Sequence, residues 1–320
     1  MNKIAPYLEG VRTVGIAGHV KPDGDCVGSV MGLYLYLAEN YPKLNVDVYL
    51  EYVQPEFYYL KKIDEVKNSY DGEKKYDLFI LLDTSTEERI GVASEAFKKA
   101  DRTIGIDHHV SNPGFADENH IVPDASSASE TLYELLDEEK ITLPVAEAIY
   151  TGIIHDSGVF QQSNTRPRTL EIAGKLMAKG VPFAKIIDES FNQKTYEQQQ
   201  ILGRTLMESI RLIDGKCIVG IVTQKEMDFY GISKQDLDGI VGQMRRTKGV
   251  EVAIFLYQTG AQEFKVSLRS NSYLDVNEVA SKFGGGGHVR AAGCTMTGSV
   301  YDAINNLTYY IEKMLKDSDD

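Results

Sequence analysis

Short apolar runs alternate with segments of helical spacing in the first half of the chain, and this alternation most constrains the fold. Three of the runs are typical of buried strands: Val11–Gly18, Asp77–Asp83 and Arg102–Asp107. The segments Cys26–Asn40 and Gly91–Ala100 place apolar residues at helical intervals. Because a strand that is apolar along its whole length is buried on both faces, the runs predict parallel strands covered by helices. Repeated strand–helix–strand units therefore predict an α/β fold whose sheet is mainly parallel, with helices on both faces.

The second half of the chain has a different pattern, which predicts a smaller, separate α/β domain. A long helical segment, Tyr196–Ile213, precedes it and is polar at its start. Two strand-like runs follow, Val250–Tyr257 and Glu263–Arg269, and the short turn between them predicts an antiparallel hairpin. A length of 320 residues also favours two domains. We expect a first domain at 1–190, a connecting helix at 191–214 and a second domain at 215–320.

Composition excludes several classes of protein. The chain has 34 basic and 47 acidic residues, and a net charge of −13 argues against a basic surface that coats long nucleic acid. Its three cysteines lie far apart, so we expect neither a disulfide framework nor a CxxC zinc site. The first residues lack a signal-peptide pattern, and no apolar run reaches the length of a membrane span. These features predict a cytoplasmic protein without a membrane partner.

Acidic and histidine side chains follow the predicted strands, at the edge where an open parallel sheet binds its ligands. They stand in the segments HVKPDGD, LLDTS and IDHHVSN, and a fourth segment, GIIHDSG, ends the predicted helix Pro144–Ile154. Each segment alone has an ordinary interpretation, as a turn, a helix cap or a surface histidine pair. Their joint placement favours one converging site, whose members are His19, Asp23, Asp25, Asp83, Asp107, His108 and Asp156.

The charge of such a cluster indicates bound cations. Four neighbouring carboxylates, those of Asp23, Asp25, Asp83 and Asp107, cannot all stay ionised without compensation, and divalent cations supply it. Imidazole combined with carboxylates suits manganese, iron or zinc, and the excess of oxygen ligands favours manganese. Five or six protein ligands are too many for one open catalytic ion and suit two ions about 3.5–4 Å apart. The sequence therefore predicts two Mn²⁺ ions per chain.

The four segments, taken in this order, resemble the motifs of the DHH phosphoesterases, a family named after the triplet found here at Asp107-His108-His109. The resemblance implies that one ion is held by His19, Asp23 and Asp83. It implies that the second ion is held by Asp25, Asp83, His108 and Asp156. Asp107 and His109 would then be catalytic residues beside the metals, which orient ligands or contact the phosphate.

Three positions in or next to these motifs are not expected to hold a metal. Family members often carry an aromatic-arginine step after the aspartate of the fourth motif, but Phe160 is followed here by Gln161, so an arginine contact to phosphate is missing there. Cys26 is expected to be a small buried hydrophobic residue. His155, which precedes the motif aspartate, is expected to point elsewhere and to have a supporting role.

Four consecutive glycines followed by a histidine form the unusual feature of the second half. Glycine runs cost backbone entropy, so the segment Gly284, Gly285, Gly286 and Gly287 indicates close approach or positive φ. No Lys-Ser/Thr follows, which excludes a P-loop, and a flexible linker is the alternative. Backbone amides presented to a phosphate, with His288 as a further donor, explain the segment better. Arg269 is the strongest basic candidate for a phosphate or base contact, while Arg245 and Arg246 have no assigned role.

The segments SLRSN and GGGGH also resemble the DHH-associated C-terminal domain, which binds substrate in these enzymes. Together with the first half, this resemblance implies the NrnA-like branch, which hydrolyses short oligoribonucleotides such as pApA and also adenosine 3′,5′-bisphosphate. Short RNA or a mononucleotide bisphosphate is then the expected partner, and a homodimer stays open. The alternatives are a cyclic di-AMP phosphodiesterase and a non-catalytic nucleotide- or RNA-binding module. The second of these predicts broken metal ligands, whereas the motif ligands are intact.

Overall fold

A computed structural model of the chain describes residues 3–319, with side chains described for residues 3–316. The chain divides into two compact units, the first ending at Gln193 and the second beginning at Lys194. The first contains a parallel sheet flanked by helices and the second a smaller α/β arrangement, so the fold class expected from the sequence is confirmed. None of the described helices is long and apolar enough to cross a membrane.

The first unit contains five strands and six α-helices among its described residues. The strands are β1 (Thr13–Ala17), β2 (Asn45–Tyr49), β3 (Leu78–Leu82), β4 (Thr103–Asp107) and β5 (Glu118–Ile121). The helices are α1 (Gly24–Asn40), α2 (Ser94–Lys99), α3 (Ala128–Leu135), α4 (Leu143–Asp156), α5 (Pro167–Ala178) and α6 (Phe183–Ile186), the last continued by a π-helix at Ile187–Asn192.

The strand order of the first sheet determines where a ligand binds. The order is β2-β1-β3-β4-β5, and every neighbouring pair is parallel. From β1 the chain first adds β2 on one side and then β3 on the other, so the direction of strand addition switches between β1 and β3. Ligands of open α/β sheets bind outside the carboxyl ends of the strands at such a switch point. His19 follows β1 and Asp83 follows β3, so both lie at this point.

The sheet is covered on both faces because its strands are apolar on both faces. In β3, Ile80 and Leu82 belong to the large core formed with α1, α3, α4 and α5. The alternate residues Phe79 and Leu81 point to the other face and pack in a smaller core with α2. A continuous apolar run, rather than an alternating one, is what this double burial requires.

Helices α1 and α4 cross at a pair of glycines. A Cβ atom on Gly28 would lie 2.5 Å from the backbone nitrogen of Gly152 and 2.6 Å from the carbonyl oxygen of Ala148. No larger residue fits between the two backbones. The contact brings the first turns of α1, which carry Asp25, against the later turns of α4, which carry Asp156.

The second unit is built on a six-stranded mixed sheet of order β10-β11-β9-β8-β7-β6, in which only β7 and β8 are parallel. The predicted hairpin is confirmed as the antiparallel pair β8–β9. Its strands are β6 (Ile210–Leu212), β7 (Cys217–Val222), β8 (Val252–Gly260), β9 (Glu263–Ser270), β10 (Gly286–His288) and β11 (Ala291–Thr297). Its α-helices are α7 (Tyr196–Glu208), α8 (Gln224–Tyr230), α9 (Ile240–Arg245), α10 (Val276–Ser281) and α11 (Val300–Asp319).

Several elements differ from the expectation. The sequence pattern of residues 236–247 predicts one helix, but the structure has a short 3₁₀ turn and then α9, separated at Gly239, whose φ is +88°. The glycine segment is not a loop throughout, because Gly286–His288 forms β10, an edge strand paired with β11. Strands β5, β6, β10 and β11 and helix α8 were not predicted. Strands β5, β6 and β10 have only three or four residues each, and the glycines of β10 have no side chains that could show an alternating pattern.

Candidate active site

The loop between β1 and α1 carries three of the expected site residues. Asp23 is the N-cap of α1, and its Oδ1 accepts hydrogen bonds from the backbone N–H groups of Asp25 (3.2 Å) and Cys26 (3.1 Å). His19 is buried, and its Nε2 lies 3.7 Å from Asp23 Oδ2. The cap therefore orients one oxygen of Asp23 to the helix and leaves the other facing His19.

Asp25 lies in the first turn of α1 and also contacts the start of α3. Its two oxygens accept hydrogen bonds from the backbone N–H groups of Ala128 (2.6 Å) and Ser129 (3.0 Å), at the N-terminus of α3. The partial positive charge of a helix N-terminus stabilises a carboxylate there. Burial nevertheless raises the pKa of Asp25, and the neighbouring charge of Asp23 adds to that effect.

Asp83 lies between two histidines. Its Oδ2 is 3.4 Å from His19 Nε2, and its Oδ1 is 3.7 Å from His108 Nε2. The residue follows β3 with a φ of +53°, an uncommon conformation for a residue with a side chain. Within the described part of the chain, its buried Oδ1 atom has no hydrogen-bond partner. Burial, followed by the charge of Asp25, raises the pKa of Asp83 to about 8.

A second group of side chains lies on the Oδ1 side of Asp83. His108 Nε2 is 3.4 Å from Asp156 Oδ2. One potential ligand atom from each of Asp25, His108 and Asp156 lies within 4.8 Å of the others. Burial, followed by the charges of Asp25 and Asp83, raises the pKa of Asp156 to about 8. The structure thus brings together all six side chains that the resemblance assigned to metals.

These residues fit divalent cations. His19 Nδ1 lies 2.8 Å from the carbonyl oxygen of Val20, and an N–H at Nδ1 that donates there leaves the Nε2 lone pair facing Asp23 and Asp83. Burial lowers the pKa of His19, but without a cation the neighbouring carboxylates of Asp23 and Asp83 outweigh burial and raise it to about 10. A cation bound at Nε2 would displace the proton that this nitrogen then carries. The same His19 contact outweighs burial and lowers the pKa of Asp23 to about 2. The unpartnered Asp83 oxygen and the excess of carboxylates are what a cation would satisfy.

Both carboxylate oxygens of Asp107 accept hydrogen bonds from residues of the DHH turn. Its Oδ1 accepts from the backbone N–H of His108 at 2.7 Å and lies 2.8 Å from His109 Nδ1, and its Oδ2 accepts from Asn112 Nδ2 at 2.6 Å. Burial raises its pKa, but the bonds from His109 and Asn112 outweigh burial and lower it. Asp107 also raises the pKa of His109. His109 Nδ1 lies 3.5 Å from Asp83 Oδ1, so this pair adjoins the candidate metal ligands.

Cys26 and His155 support the loop that carries Asp23 and Asp25. Cys26 is buried, and burial raises the pKa of its thiol, which disfavours the thiolate that a metal would need. The ring of His155 packs edge-on against Phe57 and Phe191, and its Nε2 is 3.1 Å from Ser190 Oγ. A Cβ atom on Gly24 would lie 2.1 Å from His155 Cγ, so the imidazole is in direct contact with this loop.

Arg89 is a site residue that the sequence analysis missed. It ends a 3₁₀ turn after Asp83, and its Nη2 lies 3.1 Å from His19 Nδ1. Among the described side chains no carboxylate forms an ion pair with this guanidinium. A basic residue six positions after the motif aspartate was the available signal, but nothing in the sequence showed that the turn folds back onto His19.

In the second unit, two of the predicted substrate residues, Arg269 and His288, lie on one face of the sheet. His288, Ala291 and Arg269 are in register across the neighbouring strands β10, β11 and β9. Adjacent strands are about 4.8 Å apart, so the Cα atoms of Arg269 and His288 are about 10 Å apart. Their neighbours Leu268 and Ala292 point to the opposite face, where they pack with α10 and α11. The small side chain of Ala291 therefore leaves space between a guanidinium and an imidazole.

The glycine segment allows close approach of backbones, as expected. A Cβ atom on Gly285 would lie 2.2 Å from the carbonyl oxygen of Gly293, and Gly287 has a φ of +154° with its Cβ position 2.4 Å from the carbonyl oxygen of Ala291. The glycines thus allow β10 to pair with β11. Because β10 is the edge strand, its outer backbone groups face no other strand of the described sheet.

Comparison with known proteins gives a family match for each of the two units. Residues 13–153 match the model of the DHH family, N-terminal domain, and residues 214–317 match the DHHA1 domain. A protein of Thermus thermophilus named bifunctional oligoribonuclease and PAP phosphatase NrnA is 31% identical over 93% of this chain and 89% of its own length. The Bacillus subtilis protein of that name is 29% identical over 95% of both chains.

A solved structure gives the same result for the fold. The crystal structure of an exopolyphosphatase-related protein from Bacteroides fragilis superimposes with a TM-score of 0.87 at 26% identity. The superposition covers 98% of this chain and 96% of that one. These matches along nearly the whole length show that the chain belongs to the DHH family of phosphoester hydrolases and carries a DHHA1 domain in its second half.

Proposed function

We propose that this protein is a manganese-dependent phosphoester hydrolase whose substrates are short oligoribonucleotides, such as pApA, and adenosine 3′,5′-bisphosphate. The observation that carries the proposal is the position of Asp83, whose two oxygens face His19 and His108. The printed names of the Thermus thermophilus and Bacillus subtilis relatives support the choice of substrates. Their similarity extends over nearly the whole chain, including the second half that we assign to substrate binding.

Six side chains would hold two ions. The ligands of one ion are His19, Asp23 and Asp83, and those of the other are Asp25, Asp83, His108 and Asp156. Bound divalent cations supply positive charge to the phosphoryl oxygens and make water a stronger nucleophile at neutral pH. Imidazole with several carboxylates is a ligand set that suits manganese.

The residues beside the metal ligands position protons and charge. Asp107 holds the N–H at Nδ1 of His109, which leaves Nε2 as the ring nitrogen available to a substrate oxygen. The raised pKa of His109 favours the imidazolium, which donates a proton or a hydrogen bond from Nε2. Arg89 provides a second cationic group next to His19 and replaces the arginine that the fourth motif lacks.

We propose that the second domain, at 215–320, grips the nucleotide through Arg269, His288 and the backbone of Gly284–Gly287. Arg269 and His288 share a sheet face and are separated by Ala291. With Cα atoms about 10 Å apart, their guanidinium and imidazole groups can contact a phosphate and an adjacent group of one small nucleotide. In this assignment 1–190 is the catalytic domain and 191–214 connects it to the substrate-binding domain.

The test is a rate comparison with purified full-length protein in Mn²⁺. The substrates are pApA, adenosine 3′,5′-bisphosphate and cyclic di-AMP, and the matched variant is Asp83→Asn. We expect hydrolysis of the first two, slower hydrolysis of cyclic di-AMP, and a loss of at least a thousandfold in the variant. Faster hydrolysis of cyclic di-AMP would favour the cyclic dinucleotide alternative. Tight nucleotide binding without hydrolysis would favour the non-catalytic module and contradict the proposal.

A further inference from the structure

Arg269 has no anionic partner although its side chain is largely shielded from water. In the part of the chain that the structure describes, no carboxylate forms an ion pair with it. Its Nη1 donates to the carbonyl oxygen of Leu268 at 3.0 Å, which leaves the other guanidinium donors for a ligand. A shielded charge without a counter-ion is unfavourable, so this site is incomplete without an anion.

A second guanidinium is held close to the end of the same strand. Arg245 ends α9, and its Nη1 donates a hydrogen bond of 3.0 Å to Asn271 Oδ1. Asn271 Nδ2 in turn donates to the backbone carbonyl oxygens of Arg245 (3.0 Å) and Val250 (2.7 Å). Arg269 is paired in register with Ala253 of β8, and Ala253 packs in the apolar core that α9 shares, so Arg269 lies on the sheet face that α9 covers. The reciprocal contact with Asn271 therefore holds Arg245, at the end of α9, on the same face as Arg269.

The electrostatics of the two arginines agrees with their geometry. Burial lowers the pKa of Arg269, and the charge of Arg245 lowers it further. Asp238 acts on Arg269 in the opposite direction but is not in ion-pair contact with it. Like Arg269, Arg245 forms no ion pair with any described carboxylate. Two neighbouring positive charges repel each other until an anion lies between them.

We propose that Arg245 and Arg269 together form a subsite for a terminal phosphate monoester, and this inference rests on the proposed function. A phosphate monoester carries a charge of about −1.5 to −2 at neutral pH, whereas an internal phosphodiester carries about −1. Two guanidiniums match the dianion in charge, and each presents paired N–H donors to phosphate oxygens. Ala291, in register with Arg269, leaves the sheet surface beside this subsite open. The enzyme therefore selects nucleotides that end in a phosphate.

The chain offers a matched control for Arg245. Arg246 is the next residue, is exposed, and has no side-chain hydrogen bond or ion pair in the described structure. Arg245→Gln and Arg246→Gln make the same change of charge one position apart. The conservative variant Arg245→Lys keeps the charge and removes the paired donors.

The first measurement compares KM and kcat for pApA and for ApA, which lacks the terminal phosphate, with full-length protein in Mn²⁺. We expect Arg245→Gln to raise the KM for pApA at least tenfold and the KM for ApA less than threefold, with kcat changed little. Arg245→Lys should recover part of the loss, and Arg246→Gln should resemble the wild type. Equal effects on the two substrates, or equal effects of the two glutamine variants, would overturn the inference.

The second measurement is independent of hydrolysis. Binding of inorganic phosphate to the chelated full-length protein, followed by calorimetry, should weaken at least tenfold in Arg245→Gln and stay unchanged in Arg246→Gln. Unchanged binding in Arg245→Gln would overturn the subsite. If the wild type bound phosphate through Arg245 but hydrolysed neither dinucleotide, the proposed function would fail and the anion subsite would stand.

Discussion

Asp107 Oδ1 lies 2.8 Å from Nδ1 of His109, and the carboxylate thereby fixes which nitrogen of that imidazole carries the proton. Its other oxygen is occupied by Asn112. The hydrogen bonds of the first aspartate of the DHH triplet therefore suit a positioning role, and its neighbours are the proposed metal ligands. A carboxylate that is fully hydrogen-bonded orients the groups around it without contacting the reacting phosphate itself.

Replacement of that aspartate should separate positioning from metal binding. In Asp107→Asn the side chain loses its negative charge and one of its two acceptor oxygens. His109 therefore loses the partner that orients its ring and raises its pKa. We expect kcat for pApA to fall about ten- to a hundredfold, the range typical of partners behind the ligands. The content of Mn²⁺ in the purified variant should stay within a factor of two of the wild type.

Asp101 provides the control for this prediction. It is an exposed aspartate just before the start of β4, the strand that ends in Asp107. Asp101→Asn should leave both kcat and metal content unchanged. Loss of metal from Asp107→Asn at unchanged activity per bound ion would show that Asp107 is itself a ligand.

Removal of metal should destabilise the first unit. Without cations, the buried carboxylates of Asp25 and Asp83 lie beside the half-buried carboxylate of Asp156, and their raised pKa values reflect that cost. A ligand present at a hundred times its Kd stabilises the native state by about 2.7 kcal/mol. We expect chelation to lower the Tm by several degrees and Mn²⁺ to restore it. Addition of Mn²⁺ should leave the Tm of Asp83→Asn unchanged. A rise of the Tm in that variant as large as in the wild type would contradict the prediction.

The crossing of α1 and α4 gives a prediction about packing. Gly28→Ala places a methyl group 2.5 Å from the backbone nitrogen of Gly152, and a backbone atom cannot move aside as a side chain can. Overpacking of this kind costs about 1–3 kcal/mol of unfolding free energy. Gly174→Ala, in the middle of α5 with open space around it, should instead stabilise by about 1 kcal/mol. Urea unfolding of both variants checks the contrast, and equal stability would refute the tight contact.

The stability of the second unit should depend on pH through the carboxylate of Glu251. Its carboxylate is buried and accepts hydrogen bonds from the backbone N–H groups of Ser272, Tyr273 and Leu274. Burial raises the pKa of Glu251, but the hydrogen bonds outweigh burial and lower it. The bond from the Ser272 hydroxyl contributes most to the lowering. The pKa of Glu251 is therefore lower in the folded protein than in the unfolded chain, where it is near 4.3. The ionised carboxylate stabilises the fold at pH values above that unfolded-chain pKa, and this stabilisation is lost as the pH falls through the pKa of the folded protein.

The corresponding variant is Glu251→Gln. At pH 7 we expect it to reduce the free energy of unfolding by about 1–3 kcal/mol, and the difference from the wild type should shrink as the pH falls from 5 to 3. The exposed Glu278→Gln in α10 serves as control, with an effect below about 0.5 kcal/mol. A difference that stayed constant over this pH range would show that the carboxylate charge is not responsible.

The site residues that could be predicted from the sequence are those that stand at the ends of apolar strands. His19, Asp83 and Asp107 each follow a continuous apolar run, and a parallel sheet brings such positions to one edge. Arg89 and Arg245 could not be found in this way, because each reaches its neighbours through a turn whose path depends on tertiary packing. The pairing of β10 with β11 was missed because its glycines carry no pattern, although their requirement for close backbone approach was correctly expected.

In the proposed function, Asp83 joins two cation sites in one chain. The most direct test of this role is a calorimetric titration of Mn²⁺ into the chelated full-length protein, with Asp83→Asn titrated in parallel. We expect two equivalents of Mn²⁺ per wild-type chain and a weakening of both sites in the variant. A single equivalent in the wild type, or two equivalents bound equally well by Asp83→Asn, would contradict it.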